Sequence, residues 1–283
     1  MHMLIFVCLF IVITFFIFKA YKNTQNIVVK KIKIDNKNQS TFTSSLNILH
    51  LSDLHLENIS ISADRLYEEL KNESIDLIAL TGDFLDRKRT IPKLVPYLNA
   101  LNRLNPKYGI YAVLGNHDYV LKGESLQYLI DTLKKYNCNV MQNRNETIYI
   151  DNQALNIIGI DDFSTKRSDL EISYKDIQNG MNLVLTHDPN IVLEMKKYHF
   201  DYLLAGHFHG GQICYPKAYH LAKMGKLARM NIIKGLQSQD GRPYYISEGL
   251  GQTGVNIRIG SLPEITIHQL SMAKRNTSLL SAI

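Results

Sequence analysis

The chain has 283 residues, 45% of them hydrophobic, with 16 Gly and 7 Pro, which allows one large domain or two small ones with a real core and excludes collagen-like or bulk-disordered character. Its formal net charge of +6 is lodged at the start: residues 1–45 carry Lys19, Lys22, Lys30, Lys31, Lys33 and Lys37 against Asp35 alone, leaving 26 basic and 25 acidic residues in the rest. So neutral a body excludes long nucleic acid as an expected partner, and three scattered cysteines, Cys8, Cys138 and Cys214, make no disulfide framework and no paired-thiolate zinc site.

The run from Met3 to Phe18 is sixteen residues long with Thr14 as its single polar member. At about 1.5 Å per residue it is slightly short for a hydrocarbon core of about 30 Å, unless Met1 and His2 extend it. A cleaved signal peptide is the rival reading, and it needs a basic leader and a small-residue cleavage site. No Lys or Arg precedes the run, and "FKAYKN" is a poor site, so residues 1–20 are predicted to be an uncleaved transmembrane anchor. All the flanking lysines follow the span, which predicts a single-pass protein of the cell membrane whose body faces the cytoplasm. A cleaved or inverted anchor would place the body outside. Residues 21–45 read as a basic polar linker in which "NIVVKKIKI" forms an early strand. Lys30, Lys31 and Lys33 there either meet anionic headgroups or are simply solvated.

From Leu46 a rhythm begins. The apolar runs 46–52, 76–82, 109–115, 155–160, 182–187 and 201–207 are rich in Leu and β-branched residues and bounded by turn residues, as buried strands are. Between the early ones, "SADRLYEELKNE", "IPKLVPYLNALNRL" and "ESLQYLIDTLKKY" have helical spacing; Pro92 fits a first turn and Pro96 makes the second helix less regular. Such alternation predicts an α/β layered domain over residues 46–270. Residues 217–235 break the rhythm with Lys217, Lys223, Lys226, Arg229 and Lys234 and no acid. They read either as a basic lid or docking surface or as a solvated excursion. "PYYISEGL" and "PEITIHQL" supply two further strands, and residues 271–283 a loose tail.

Polar residues gather behind the apolar runs. "ILHL" leads to Asp53 and His55, "LIAL" to Asp83, and "YAVL" to Asn116, His117 and Asp118. "LVLT" leads to His187, and "YLLA" to His207 and His209. In an open α/β sheet the ligand crevice lies outside the carboxyl ends of the strands, so five strand exits pool their side chains on one edge. Alternate residues of an extended D-x-H or H-x-H segment point the same way, and each pair is expected to address one centre. The adjoining glycines are expected to let the chain turn and approach a ligand closely. A mixture of carboxylate, amide and imidazole donors suits two borderline divalent ions such as Mn, Fe, Zn or Ni. Asp83, in the middle of the set, is the natural bridging ligand. Two such ions acidify a shared water and clamp an in-line phosphoryl displacement.

The blocks D-x-H, G-D, G-N-H-D, H and G-H-x-H, in this order over roughly residues 47–270, resemble the calcineurin-like metallophosphoesterase superfamily. "GHFHGGQ", the late "GLG" and "NIRIGSLPEI" are similar to its YkuE-like bacterial branch with an N-terminal membrane segment, and to some UDP-2,3-diacylglucosamine hydrolases. The resemblance implies a four-layer α-β-β-α sandwich with two mixed sheets, preceded here by the transmembrane helix. It implies one metal held by Asp53, His55, Asp83 and His209, and a second by Asp83, Asn116, His187 and His207. His117 would serve as general acid or as a donor to the phosphoryl oxygens, while Asp86 would orient it and Arg87 would bind phosphate. Asp118 would support its loop.

The function implied is a membrane-anchored phosphohydrolase that cleaves a phosphodiester or pyrophosphate, lipid- or nucleotide-linked, by attack of a metal-bridging hydroxide, with no obligate protein partner. A nuclease or cyclic-nucleotide phosphodiesterase is the alternative among enzymes. A metal-stabilised scaffold or sensor is the alternative outside them, although such a site has no need of the extra imidazole of His117.

Overall fold

The structure is a computed structural model, and it describes residues 2–34 and 42–273. Part of the expected linker and most of the expected tail, residues 35–41 and 274–283, lie outside the described residues.

Two six-stranded sheets carry the fold. The first has the order β1 (Val28–Ile34), β12 (Glu264–Ala273), β2 (Phe42–Leu51), β3 (Leu77–Thr81), β4 (Ile110–Val113) and β5 (Cys138–Val140). The second has the order β10 (Gly235–Gln239), β11 (Arg242–Ile246), β9 (Tyr202–Ala205), β8 (Met181–Leu185), β7 (Gln153–Gly159) and β6 (Arg144–Ile150). Strands β2 to β5 run parallel, with β12 antiparallel to β2. Strands β7, β8, β9 and β11 run parallel, with β6 and β10 antiparallel at the two edges. Both sheets are therefore mixed.

The period of two decides which core each side chain joins. Ile48, Leu77, Ala79, Tyr111 and Val113 face Leu155, Leu183, Leu185 and Leu204 between the sheets. Their neighbours Leu49, Leu51, Ile78, Leu80 and Ala112 face outward. There they meet helices α2 (Ala63–Leu70), α3 (Ile91–Arg103) and α4 (Glu124–Lys135). Burial on both faces is why these strands read as unbroken apolar runs. Ser62 caps α2 by accepting the Arg65 N–H, and α3 runs on through Pro96. The outer face of the second sheet is covered by smaller pieces: α5 (Leu170–Ser173), α6 (Lys226–Arg229) and single 3-10 turns such as Pro189–Leu193. The architecture is thus four layers with two mixed sheets, its fourth layer made of short helices. The basic stretch 217–235 belongs to that layer. Asn190 secures it by accepting the Leu227 N–H and donating to the Met224 carbonyl.

Helix α1 spans His2–Asn23. It is longer than the apolar run alone suggests, because "KAYKN" continues the same helix, and 22 residues cover about 33 Å. It is long and apolar enough to cross a membrane, and apart from buried Ala20 and half-buried Asn23 its residues are exposed. Its end is tied to the body by the Arg258 N–H donating to the Ala20 carbonyl at 2.9 Å and by Asn23 Nδ2 donating to the Arg258 carbonyl at 2.9 Å.

Arg258 is fully buried, an unexpected place for the basic residue of "NIRIG". Its guanidinium donates to the carbonyls of Glu248, Gly249, Gly251 and Leu262 and to Ser261 Oγ, over 2.7–3.1 Å. This clamps residues 248–251, the loop that backs Asp53: a Cβ added at Gly249 would come within 2.8 Å of the Asp53 Cβ. Arg258→Met would strand these carbonyls without donors. It is expected to lower the unfolding free energy by about 3–5 kcal/mol, read as a fall in the urea midpoint; an unchanged midpoint would remove Arg258 from this role.

Candidate metal centre

The exits of β2, β3, β4, β8 and β9 converge on one buried spot. Asp53, His55 and His209 form one group of potential ligand atoms, Asp83, His187 and His207 a second, and His55 and Asp83 form a third with His117. His55 Nε2 stands 3.1 Å from His209 Nε2, and Asp53 Oδ1 3.4 Å from His209 Nε2. His187 Nε2 stands 3.1 Å from His207 Nδ1. Between the groups lies Asp83 Oδ2, 3.5 Å from His55 Nε2 and 3.1 Å from His187 Nε2. Asn116 presents a buried Oδ1 with no hydrogen-bond partner.

This spacing tests whether cations fit. Nitrogens of two neutral imidazoles have no reason to converge unless one donates to the other or both face a cation. Around an ion with bonds of about 2.1 Å, neighbouring donors at ordinary coordination angles lie about 3.0–3.4 Å apart, close to the separations found. The unpartnered Asn116 oxygen is a further unused donor at the same place, and the absence of thiolate suits borderline divalent metals. The residues therefore fit divalent ions. The His187 Nδ1 lies 2.7 Å from the Thr81 carbonyl; donating there fixes the tautomer and aims the Nε2 lone pair into the centre.

Burial shapes the charges. It pushes His55 down to about 4 and also lowers His207 and His209, so these rings stay neutral and offer lone pairs. It pushes the Asp53 carboxyl up to about 6, an effect that a nearby divalent charge opposes. Burial acts on Asp83 in the same sense, but His187, which the Asp83 carboxylate in turn pushes up, outweighs it and holds Asp83 ionised.

The local backbone departs from the expected extended segments. Asp53, His55, Asp83, His207 and His209 have φ of 52°, 39°, 54°, 77° and 50°, each in the left-handed region that costs a side-chain-bearing residue about 1–2 kcal/mol. The H-x-H pair does not address one point: His209 joins Asp53 and His55, whereas His207 joins Asp83 and His187. The φ change at each His swings the two rings apart, which a straight strand would not do. Asp118 helps hold the β3 exit, its carboxylate accepting the N–H groups of Asp83, Phe84, Leu85 and Gly115 at 2.9–3.2 Å. Two glycines are required by close approach. A Cβ at Gly115 would overlap the Asp83 carboxylate, and one at Gly206 would overlap Ser52 and the Asp53 carboxylate.

His117 sits beside this core with its side chain 29% exposed. Its ring meets that of His55 edge-on at 4.7 Å, and its backbone N–H donates to Asp83 Oδ1 at 2.8 Å. Asp86 Oδ2 is 3.8 Å from His117 Nδ1, beyond hydrogen-bond reach, and Arg87 Nε lies 3.6 Å from Asp86 Oδ1. A cavity of 420 Å³ opens over the centre, lined by Asp83, Asn116, His117, His207 and His209 and rimmed by Ile213 and Val255; Asp86 and Arg87 are not in its wall. Reading the sequence singled out these ligand candidates but missed Arg258 and the multiple bonds of Asp118, for which the quoted "NIRIG" and "GNHD" were the available signals.

Residues 46–211 match the calcineurin-like phosphoesterase family. The chain is 60% identical over 255 residues to the uncharacterized metallophosphoesterase YkoQ of Bacillus subtilis (strain 168), covering 90% of this chain and 94% of that one. It is 27% identical to the metallophosphoesterase YkuE of the same organism, covering 79% and 78%. It is 26% identical to the UDP-2,3-diacylglucosamine pyrophosphatase LpxG of Chlamydia muridarum (strain MoPn / Nigg), covering 78% and 82%.

Proposed function

The chain belongs to the calcineurin-like phosphoesterase family and is a metal-dependent phosphoester hydrolase; from that premise we propose that it is a membrane-anchored enzyme with a dinuclear centre, cleaving a phosphodiester or pyrophosphate. Asp53, His55, Asp83 and His209 hold one cation, and Asp83, Asn116, His187 and His207 the other, drawn from Mn, Fe, Zn or Ni. The observation that carries this reading is Asp83 Oδ2, within 3.5 Å of His55 and 3.1 Å of His187, one oxygen shared by both groups. Bound cations supply an acidified water as nucleophile and neutralise charge on the phosphoryl oxygens.

The chain's own residues do the rest. Gly115 and Gly206 let the Asp83 and Asp53 carboxylates lie against the backbone, and the Thr81 carbonyl orients His187. His117 faces the cavity and gives a proton to the departing oxygen. Asp86 positions that ring when the pair tightens, and Arg87 receives a phosphate oxygen at the edge. Helix α1 anchors the chain, and the hydrolase body runs from β1 to β12, wider than residues 46–270 because Val28–Ile34 and Phe42–Leu51 are strands of the first sheet. The lysines behind α1 favour a cytoplasmic body. The name of the LpxG relative and the apolar helix support a lipid- or nucleotide-linked substrate near the bilayer.

The test is hydrolysis of bis-p-nitrophenyl phosphate by the purified full-length chain. Turnover is expected to require added Mn²⁺ and to stop with chelator. Failure to hydrolyse any phosphoester with any of these metals would leave a metal-stabilised scaffold as the better account.

A further inference from the structure

We propose that the loop Ile213–Tyr219, together with Val255 and Ile259, docks on the bilayer that α1 enters, so that the cavity of the metal centre opens at the lipid surface. The proposal rests on the anchoring reading above.

The starting observation is an apolar cluster beside the root of α1. Tyr215, Tyr219 and Val255 are 83%, 69% and 58% exposed, with Ile213 and Ile259 more than a third exposed. These residues sit on two segments bound to one another. Ile213 and Ile259 form a parallel bridge; the Cys214 N–H donates to the Ile259 carbonyl at 2.7 Å, and the Ile259 N–H to Gln212 at 2.8 Å. Gln212 Nε2 also donates to the Val255 carbonyl at 3.0 Å. The same segment holds the end of α1 through Arg258 and the Ala20 carbonyl. Val255 lies three residues from Arg258, at most about 10 Å of extended chain. Val255, Ile259 and the Ile213 bridged to it therefore stand near the point at which the end of α1 is tied to the body.

Its charge says what covers it. Lys217 lies between the two exposed tyrosines, and the 217–235 stretch has no acid. Among the described residues Lys217, Lys223, Lys226 and Arg229 make no ion pair; Lys234 is the member that does, with Glu248. Lys19 and Lys22 stand where the apolar run of α1 stops. Exposed Tyr, Ile and Val, with Lys217 between the tyrosines and no acid in 213–219 or 251–260, is the composition of a segment at an anionic headgroup layer, where rings sit at the interface and ammonium groups reach the phosphates. A face for a protein partner would carry no such requirement for its position beside the helix root.

The consequence for the enzyme is direct. Ile213 and Val255 also rim the cavity that contains Asn116 and His117. With the rim at headgroup depth, a phosphoester carried by a lipid meets the centre while its acyl chains stay in the membrane. Lys217, at the head of the unassigned basic stretch, becomes part of the docking face.

The chain contains no Trp, so one introduced indole reports its own surroundings. The full-length chain is reconstituted into vesicles of phosphatidylcholine and phosphatidylglycerol, with or without phosphatidylcholine brominated near the glycerol end of its acyl chains or, in a parallel set, near their methyl end. Tyr215→Trp and, separately, Tyr219→Trp are compared with Phe10→Trp in the middle of α1. The proposal expects both loop variants to emit at shorter wavelength than free indole in water and to lose most of their emission to the lipid brominated near the glycerol end, while Phe10→Trp loses its emission to the lipid brominated near the methyl end. If Phe10→Trp is quenched but both loop variants stay open to iodide, the docking face is refuted while the anchor stands. If the loop variants are shielded from iodide yet insensitive to bromine, a second copy or another protein covers the face, and the proposal also fails. If Phe10→Trp itself escapes the brominated lipid, the anchoring reading fails and takes the proposal with it. Both tyrosines are exposed side chains, so a shared change in the thermal unfolding of both variants is not expected, and unfolding curves check that each variant is intact.

Discussion

Asp83→Asn is expected to empty the metal centre and to lower turnover of bis-p-nitrophenyl phosphate by more than ~100-fold, beyond what loss of a mere neighbour of a ligand costs. The substitution keeps the shape and one acceptor oxygen and removes the charge. That charge faces His55 at 3.5 Å and His187 at 3.1 Å through one oxygen, while the other oxygen accepts the His117 N–H at 2.8 Å. Among the described residues no other carboxylate stands within 3.5 Å of an imidazole of each group, so its loss weakens two cation sites at once, whereas loss of His209 alone disturbs one. The body itself should survive. The β3 exit is held by Asp118, which accepts the backbone N–H groups of residue 83 and its two successors, bonds that do not involve the Asp83 side chain. Metal-free Asp83→Asn is therefore expected to unfold at about the same temperature as the metal-free parent. Metal content by elemental analysis, turnover and thermal unfolding are measured on one preparation. A variant that keeps its full metal complement and normal turnover would break the assignment of a shared ligand.

How much of this was legible in advance depended on what burial does to a sequence. Strands β2, β3, β4, β8 and β9 are covered on both faces, and their continuous apolar runs marked them and hence the ligands at their ends. Strands β5, β6 and β10 left little trace. β5 has three residues, and β6 and β10 are half-covered edges with polar sequences such as "GLQSQ". The left-handed backbone at the five ligands was also hidden, because Asp and His adopt it only where surrounding bonds force it, and residue type does not encode those bonds. A buried Arg258 is misleading for a related reason. Guanidinium groups are almost always solvated, and only the five acceptors around this one explain its place. The resemblance in the five blocks implied different partners for His207 and His209, whereas the assumption of an extended segment had put both on one centre.

His117→Gln is expected to separate binding from chemistry. Unlike the ligand histidines, whose rings are almost wholly buried, His117 has a side chain 29% exposed and turned toward the cavity. Its ring meets His55 edge-on, with a ring nitrogen within 4.8 Å of the donor atoms of His55 and Asp83, but its hydrogen bond to the ligand set is through its backbone N–H and survives any side-chain change. Metal content should therefore remain that of the parent. The loss in rate should depend on what leaves. A dialkyl phosphodiester expels a strongly basic alkoxide that needs a proton, and here removal of a general acid is expected to cost about 10²–10⁴ in kcat. Nitrophenolate leaves without help, so bis-p-nitrophenyl phosphate should lose less than about tenfold. Asp86→Asn should reproduce part of the first loss and little of the second if the 3.8 Å pair tightens when substrate binds. Equal losses on both substrates would mean that His117 acts on the phosphoryl oxygens instead, because charge stabilisation there is needed whatever group departs. Loss of metal from the variant would move His117 into the ligand set, and the separation between a buried coordinating core and an exposed proton donor would no longer hold.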